Sequence, residues 1–206
     1  MAKLYFIYAP MGSGKSTMLL TKAHSFEERK IPFICLKPSI DDRDGIGTIK
    51  SRIGIQRECV SIDNDDDIFQ ILNNYINLCN LQLMSIPQWV LIDESQFLTK
   101  IQVEQVARIV DEHNINVVCY GLRTDFTSNL FEGSKRLMEL ADTIEEMKTT
   151  CSCGKKAIIN ARFHNGELLI DGNQILIGGD ELYMPLCRDC FNKLRQKSTE
   201  YGKTSN

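Results

Sequence analysis

Leu4-Tyr5-Phe6-Ile7-Tyr8-Ala9-Pro10-Met11-Gly12-Ser13-Gly14-Lys15-Ser16-Thr17 decides how the rest of the chain is read. The first five residues are apolar and aromatic, which predicts a buried strand. After Thr17 the chain continues Met18-Leu19-Leu20-Thr21-Lys22-Ala23-His24-Ser25-Phe26, and Leu19, Leu20, Ala23 and Phe26 recur at helical spacing. Strand, glycine-bearing turn and helix therefore follow one another, the context in which Gly-x-Gly-Lys-Ser is a phosphate-binding loop rather than a plain connection. Turn N–H groups and the positive end of the helix then converge on one point, where a phosphate gains most. Lys15 is placed to reach the outer phosphates and the Ser16 hydroxyl to ligate Mg²⁺. The usual first glycine of this loop is Ala9, at the position where the strand ends.

The chain has 206 residues, enough for one good core and a small appendage. Its net charge of -3 argues against a broad nucleic-acid-binding surface. No apolar run approaches the ~20 residues of a membrane span. Met1-Ala2-Lys3 leads straight into the first strand, so no signal peptide is expected and the location is read as cytoplasmic. The eight cysteines are then expected to be reduced. Cys35, Cys59, Cys79 and Cys119 are read as small core residues in apolar segments.

Strand and helix signals alternate along the next stretch. Ile31 to Lys37 reads as a second strand, and Asp41-Asp42-Arg43-Asp44-Gly45-Ile46-Gly47 as the loop at its carboxyl end, where ligands bind in open α/β sheets. The acidic run Asp63 to Asp67 caps a helix. Trp89-Val90-Leu91-Ile92 is a third strand, ending in Asp93-Glu94-Ser95-Gln96-Phe97, and Thr99 with Gln102 spells a capping box. Ile115 to Tyr120 is a fourth strand, a helix is expected near Ser134 to Leu140, and a last strand near Thr143 to Lys148. The expected fold class is α/β: a P-loop, RecA-like, mostly parallel sheet with helices on both faces, plus a small zinc-ribbon-like lobe. Residues 1–148 are the expected nucleotide-binding domain, 149–192 a zinc-binding lobe carrying a covering loop, and 193–206 a polar tail. Within the lobe, His164-Asn165-Gly166-Glu167 marks a hairpin.

An apolar strand ending in Asp-Glu downstream of a phosphate loop has a chemical meaning. Asp93, at the strand tip and read as lying beside the first strand's loop, can hold Mg²⁺. Glu94, one residue on, can face the γ-phosphate and orient an attacking hydroxyl or water. A carboxylate of ordinary acidity, about 4.3, is a weak base for an alcohol, so such a group acts late, aligning the hydroxyl and taking its proton as the new bond forms. Cys151-Ser152-Cys153 and Cys187-Arg188-Asp189-Cys190 form two close pairs. Four thiolates satisfy one tetrahedral Zn²⁺ with no open position, so this metal is structural.

Taken together, these residues resemble thymidine kinases of the small, zinc-containing type. The resemblance spans Leu4 to about Cys190 and rests on residues 10–16, Asp41-Asp42-Arg43, Asp93 to Phe97, Tyr120-Gly121-Leu122-Arg123-Thr124-Asp125-Phe126, the four clustered cysteines, and Ile177-Gly178-Gly179 with Tyr183. It implies ATP-dependent phosphorylation of the thymidine 5′-hydroxyl to thymidine monophosphate, a nucleoside-salvage step, with ATP, Mg²⁺ and structural Zn²⁺ as cofactors. It implies Glu94 as the catalytic carboxylate and Arg43 as its helper. The nucleotide and magnesium side comprises Ala9, Pro10, Met11, Gly12, Ser13, Gly14, Lys15, Ser16, Asp41, Asp93 and Gln96. The thymine pocket comprises Met11, Phe97, Leu122, Phe126, Ile177, Gly178 and Tyr183, with a lasso loop over residues 174–183. It implies a homotetramer. A pocket for the thymine methyl contributes only ~1–3 kcal/mol, so deoxyuridine is expected to be a substrate as well, though a poorer one. Charge and the lack of a long apolar run predict no nucleic-acid or membrane partner. Two other readings compete on motif alone: a nucleic-acid-stimulated ATPase in which Glu94 activates water, and a zinc-ribbon binding module that uses nucleotide as a switch.

Overall fold

In a computed structural model the described residues are 1–175 and 183–203, with side chains described through residue 197. The elements are β1 (Leu4–Tyr8), α1 (Lys15–Glu28), β2 (Phe33–Pro38), β3 (Thr48–Lys50), β4 (Gln56–Glu58), β5 (Val60–Ile62), α2 (Ile68–Leu81) and β6 (Trp89–Ile92). A short 3-10 turn over Ser95–Phe97 leads to α3 (Lys100–His113), β7 (Asn116–Gly121), α4 (Glu132–Leu140) and β8 (Thr143–Glu146). The second lobe contains β9 (Thr149–Thr150), β10 (Lys156–Ala157), β11 (Ile159–His164), β12 (Glu167–Leu169), β13 (Tyr183–Leu186) and α5 (Arg188–Lys203).

Six strands form one sheet in the order β5-β2-β6-β7-β1-β8, and every pairing in it is parallel. Strands covered on both faces must be apolar throughout, which is why β1, β2, β6 and β7 read as continuous hydrophobic runs. On one face, Ile68 and Leu72 of α2, Val103, Val106 and Ile109 of α3 and Leu137 of α4 pack against Phe6, Leu36, Val90, Ile92 and Val117. On the other, Leu19, Leu20, Ala23 and Phe26 of α1 pack against Ile7, Cys35, Leu91 and Val118. The caps expected from sequence form. The Asp67 side chain accepts from the Gln70 N–H, and Thr99 and Gln102 complete a reciprocal box at the start of α3.

Three features differ from the sequence reading. The hairpin β3–β4 is not marked by any apolar alternation. It is held from outside: Ile49 is buried against the α1 face, and Arg57 makes a two-pronged ion pair with Glu27 of α1 (2.8 and 2.6 Å). Strand β6 does not adjoin β1, because β7 lies between them. And α5 continues through 193–203, where a polar tail was expected. Its polar composition hides the helix, which seats on Phe191 and Leu194 against the second lobe's own core.

That core is small: Cys151, Ala157, Ala161, Leu168, Leu186 and Cys187. It lies under the antiparallel sheet β12-β11-β13 and the β9–β10 pair. Asn165 and Gly166, both at positive φ (51° and 82°), form the expected tight turn between β11 and β12.

Candidate active site

The carboxyl ends of four neighbouring strands, β2, β6, β7 and β1, open on the same side of the sheet, where such folds bind ligands. After β1 the chain turns through Gly12 (φ 74°) and Gly14 (φ 84°), a left-handed backbone that a side chain disfavours. Gly14 caps α1, so the first helical N–H groups face the turn. At Gly12 space is also limiting: a Cβ there would stand 3.1 Å from the Arg52 guanidinium. Lys15 is buried, and its ammonium donates to the carbonyls of Ala9 (3.2 Å) and Pro10 (3.1 Å). Burial lowers its pKa, opposed by the charges of Glu94 and Asp93. A cleft of about 850 Å³ lies over this loop, lined by Gly12, Gly14, Lys15 and Ser16 on one wall and Asp41, Arg43, Arg52, Asp93 and Glu94 around the rest.

The acidic groups sit in three different environments. Asp93 is buried, and its Oδ1 has no hydrogen-bond partner among the described residues. Burial, with the Glu94 charge adding, pushes its pKa up to about 7, while the Ser16 hydroxyl bonds the carboxylate and pulls the other way. A hard divalent cation is what a buried, half-satisfied carboxylate beside a hydroxyl suits, so these residues fit Mg²⁺. Asp41 is saturated: Lys37 approaches at 3.1 Å and Arg43 engages both of its oxygens. Burial raises its pKa, but the two cations more than offset this and hold it below the usual carboxylate value. Arg43 spans the gap, donating to Glu94 Oε1 at 3.0 Å, while Gln96 Nε2 donates to Oε2. Glu94 itself has a left-handed backbone (φ 48°, ψ 37°). In a non-glycine residue that conformation costs on the order of 1 kcal/mol or more and is concentrated at functional sites.

A second, narrower cavity opens beyond Glu94. Met11, Phe97, Leu122, Phe126, Phe131, Thr124, Asn160 and Tyr183 line it. Met11, Arg43, Glu94 and Leu122 line both cavities, so the two meet at the Glu94–Arg43 pair. Phe97 and Phe131 meet edge to face at 5.9 Å, and Phe126 is buried at the back. Gln96 bridges: its Oε1 accepts the Leu122 N–H at 2.9 Å while its amide holds Glu94.

The four clustered thiols come together as expected. The Sγ atoms of Cys151, Cys153, Cys187 and Cys190 all lie within 4.8 Å of one another, and Cys153 and Cys187 are 3.6 Å apart. A tetrahedron with metal–sulfur bonds of ~2.3 Å has edges of about 3.8 Å, so the set is sized for Zn²⁺. The Cys153 and Cys187 N–H groups draw the Cys151 thiol down to about 6, and the surrounding sulfurs push Cys190 up to about 12. A divalent cation relieves that opposition by holding all four as thiolates.

Most residues expected at the site converge on it. Met11, Gly12, Gly14, Lys15, Ser16, Asp41, Asp93, Glu94 and Arg43 line the cleft. Ala9 and Pro10 stand behind the loop as carbonyl partners of Lys15, and Ser13 braces it by donating to the Pro10 carbonyl (2.8 Å). Gln96, expected on the nucleotide side, lines the second cavity with Phe97, Leu122, Phe126 and Tyr183. Ile177 and Gly178 lie outside the described residues. Sequence reasoning passed over Lys37, Arg52, Asn160 and Arg162. Asn160 and Arg162 left little signal: with His164 they fall on one face of a strand that alternates polar and apolar residues, the pattern of a solvent-facing edge, yet both are buried.

A thymidine kinase family profile matches residues 2–191. The chain is similar to a thymidine kinase of Streptococcus pyogenes serotype M3, 48% identical over 189 residues that cover 91% of this chain and 96% of that protein. It is also similar to a thymidine kinase of Streptococcus agalactiae serotype V, 46% identical over the same shares. Among solved structures, a Pif1 helicase from Candida albicans aligns at TM-score 0.42 and 13% identity, over 71% of this chain and 36% of that one, too slight a likeness to bear on function.

Proposed function

The chain belongs to the thymidine kinase family, and on that premise we propose how it transfers the γ-phosphoryl group of ATP to the 5′-hydroxyl of thymidine. The observation that carries the reading is the shared wall of the two cavities: a triphosphate over the loop and a nucleoside among Phe97, Leu122 and Phe126 would meet beside Glu94 and Arg43. Two reactants held so close gain most of their rate from position alone.

Phosphoryl transfer asks a protein mainly for alignment and charge neutralisation. The loop N–H groups, the start of α1 and Lys15 would bind the phosphates, with the Lys15 ammonium leaving the Ala9 and Pro10 carbonyls for phosphate oxygen. Asp93 and the Ser16 hydroxyl would hold Mg²⁺, which in such reactions offsets charge on the phosphate oxygens. Asp41, already engaged by Lys37 and Arg43, would position the Arg43 guanidinium. Arg43 and Gln96 fix the two oxygens of Glu94, so its carboxylate would align the 5′-hydroxyl and accept its proton as the bond to phosphorus forms. Gln96 would thereby tie the carboxylate to the nucleoside wall rather than to the nucleotide.

The Cys151, Cys153, Cys187 and Cys190 set would hold zinc as a staple for a lobe whose core is too small to stand alone. Residues 1–148 and the lobe from 149 through α5 would be the two functional units, since Leu194 of α5 packs against that lobe's core. A reducing, cytoplasmic setting suits eight unpaired thiols. Among the described residues no helix is long and apolar enough to cross a membrane. Assembly into a homotetramer has its support in exposed apolar residues at the end of α2 and beyond, Leu81, Leu83 and Met84. The test is direct: incubate the protein with MgATP and a panel of nucleosides. Thymidine monophosphate is the expected product. ATP consumption stimulated by DNA, with no nucleoside phosphorylated, would overturn the reading.

A further inference from the structure

Arg162 stands on the strand that pairs with both β12, which precedes residues 170–182 in sequence, and β13, which follows them. On β11 it pairs with Leu169, near the end of β12, on one side, and with Tyr183, the first residue of β13, on the other. The two strands that flank residues 170–182 in sequence are therefore both registered on this single residue. Its side chain is buried. The Nη1 atom donates to the Asn173 carbonyl at 2.8 Å and Nη2 to the Asp171 carbonyl at 3.4 Å. Between those two residues Gly172 has φ 119°, and a Cβ there would come within 2.7 Å of Nη2, so the chain closes on the guanidinium as only glycine allows. The guanidinium carbon Cζ lies 3.7 Å from the centroid of the Phe126 ring, which lines the second cavity. Immediately after this segment, Gln174 donates to Asp125 Oδ2 at 2.8 Å, and Asp125 is the neighbour of Phe126.

One cation thus touches both a ring that lines the second cavity and the backbone carbonyls of Asp171 and Asn173. Burying a guanidinium is costly, and its Nε finds no hydrogen-bond partner among the described residues. A core built only for packing would have an apolar residue here. We infer that Arg162 is a positioning residue for the nucleoside, which couples the placement of the Phe126 ring to the placement of residues 171–174. The inference rests on the proposed thymidine reaction and assigns Arg162 no contact with ATP. The cation–ring contact fixes Phe126, while the two carbonyl bonds fix residues 171–173. A nucleoside base lying against Phe126 then meets both walls already arranged, which spares the cost of ordering them on binding.

The test uses the zinc-replete full chain and three proteins: wild type, Arg162→Met and Arg162→Lys. Each is checked for metal content and Tm, and then steady-state constants are measured for thymidine and for MgATP separately. Arg162→Met is expected to raise the thymidine KM about 10- to 100-fold, leaving the MgATP KM within about 2-fold and the zinc content unchanged. Arg162→Lys keeps a cation over the ring but lacks the planar fork, so its thymidine KM should fall between the two. If Arg162→Met does not accumulate as folded protein, Arg162→Lys alone decides, by whether its thymidine KM rises selectively. A thymidine KM equal to wild type in a folded variant overturns the inference. So does an equal rise in both KM values, which would mean general loosening. If wild type itself fails to phosphorylate thymidine, the functional reading falls instead, so the two failures are distinct.

Discussion

Asn160 Oδ1 accepts the N–H of Met11 at 2.7 Å, across 149 residues of sequence. Its Nδ2 donates to the Thr124 carbonyl at 2.9 Å. A strand of the second lobe is thereby fastened at once to the phosphate loop and to the segment after β7. No apolar residue could make both bonds, and an acidic one could make only the first without a proton. Asn160→Ala should therefore lower stability by about 1–3 kcal/mol, the usual cost of leaving buried partners unpaired. It should also raise the MgATP KM several-fold through a displaced Met11. Denaturant titration and steady-state kinetics check this. Unchanged MgATP binding in the folded variant would show that the loop holds its shape without the second lobe.

The same fastening makes the metal site consequential at a distance. Metal analysis should find about one zinc per chain, since four thiolates fill one tetrahedron. Chelation, or Cys187→Ser, should lower Tm and raise the thymidine KM, because β11 carries both Asn160 and Arg162. A metal-free protein with the Tm and kinetics of the loaded one would contradict a structural role.

Asp93 gives a pH signature. Its pKa is raised to about 7 in the fold, from 3.8. The native state thus holds a proton that the unfolded chain has released. The stability this contributes is complete below about pH 4 and is lost as pH rises through about 7. Melts of the nucleotide-free, magnesium-free protein should show Tm falling over that window, and Asp93→Asn should flatten the fall and raise Tm by a few degrees at pH 8. Added MgCl₂ should raise the wild-type Tm there and leave Asp93→Asn unmoved. Identical pH profiles for the two proteins would contradict a buried carboxylate at Asp93 with one oxygen unpartnered among the described residues.

In the proposed reading the thymine methyl would lie among Met11, Leu122 and Phe126, where discrimination would rest on packing. A methyl group in an apolar pocket is worth ~1–3 kcal/mol. Deoxyuridine should therefore be phosphorylated with kcat/KM lower by roughly 10- to 200-fold. Competition assays with both nucleosides measure the ratio, and complete inability to use deoxyuridine would require a discriminating element beyond methyl packing.

What the sequence made legible was local. The β1 strand, the Gly-x-Gly-Lys-Ser turn and α1 are contiguous, so pattern and spacing alone place Lys15 and Ser16. The Asp93-Glu94 pair was legible because an apolar strand must end where its polar tip begins. Other parts depend on partners far along the chain. The β3–β4 hairpin is secured by Glu27 and by Ile49 burial, and neither shows in three-residue strands of mixed composition. Asn160 and Arg162 looked like unremarkable strand polar residues until Met11, Thr124, Asp171, Asn173 and Phe126 were set around them. Strand adjacency was not legible either: β7 separates β6 from β1, yet the side chains of Lys15 and Ser16 still act on Asp93.

Glu94 is fixed by Arg43 and Gln96 where the two cavities join. Glu94→Gln keeps the size and much of the hydrogen bonding of the side chain while removing its capacity to accept a proton. Single-turnover kinetics with saturating MgATP and thymidine should show the phosphoryl-transfer rate lowered by roughly 10²–10⁴, with ATP affinity unchanged in a separate binding titration. Near-normal turnover in that variant would contradict the assignment and move the chemistry to another group.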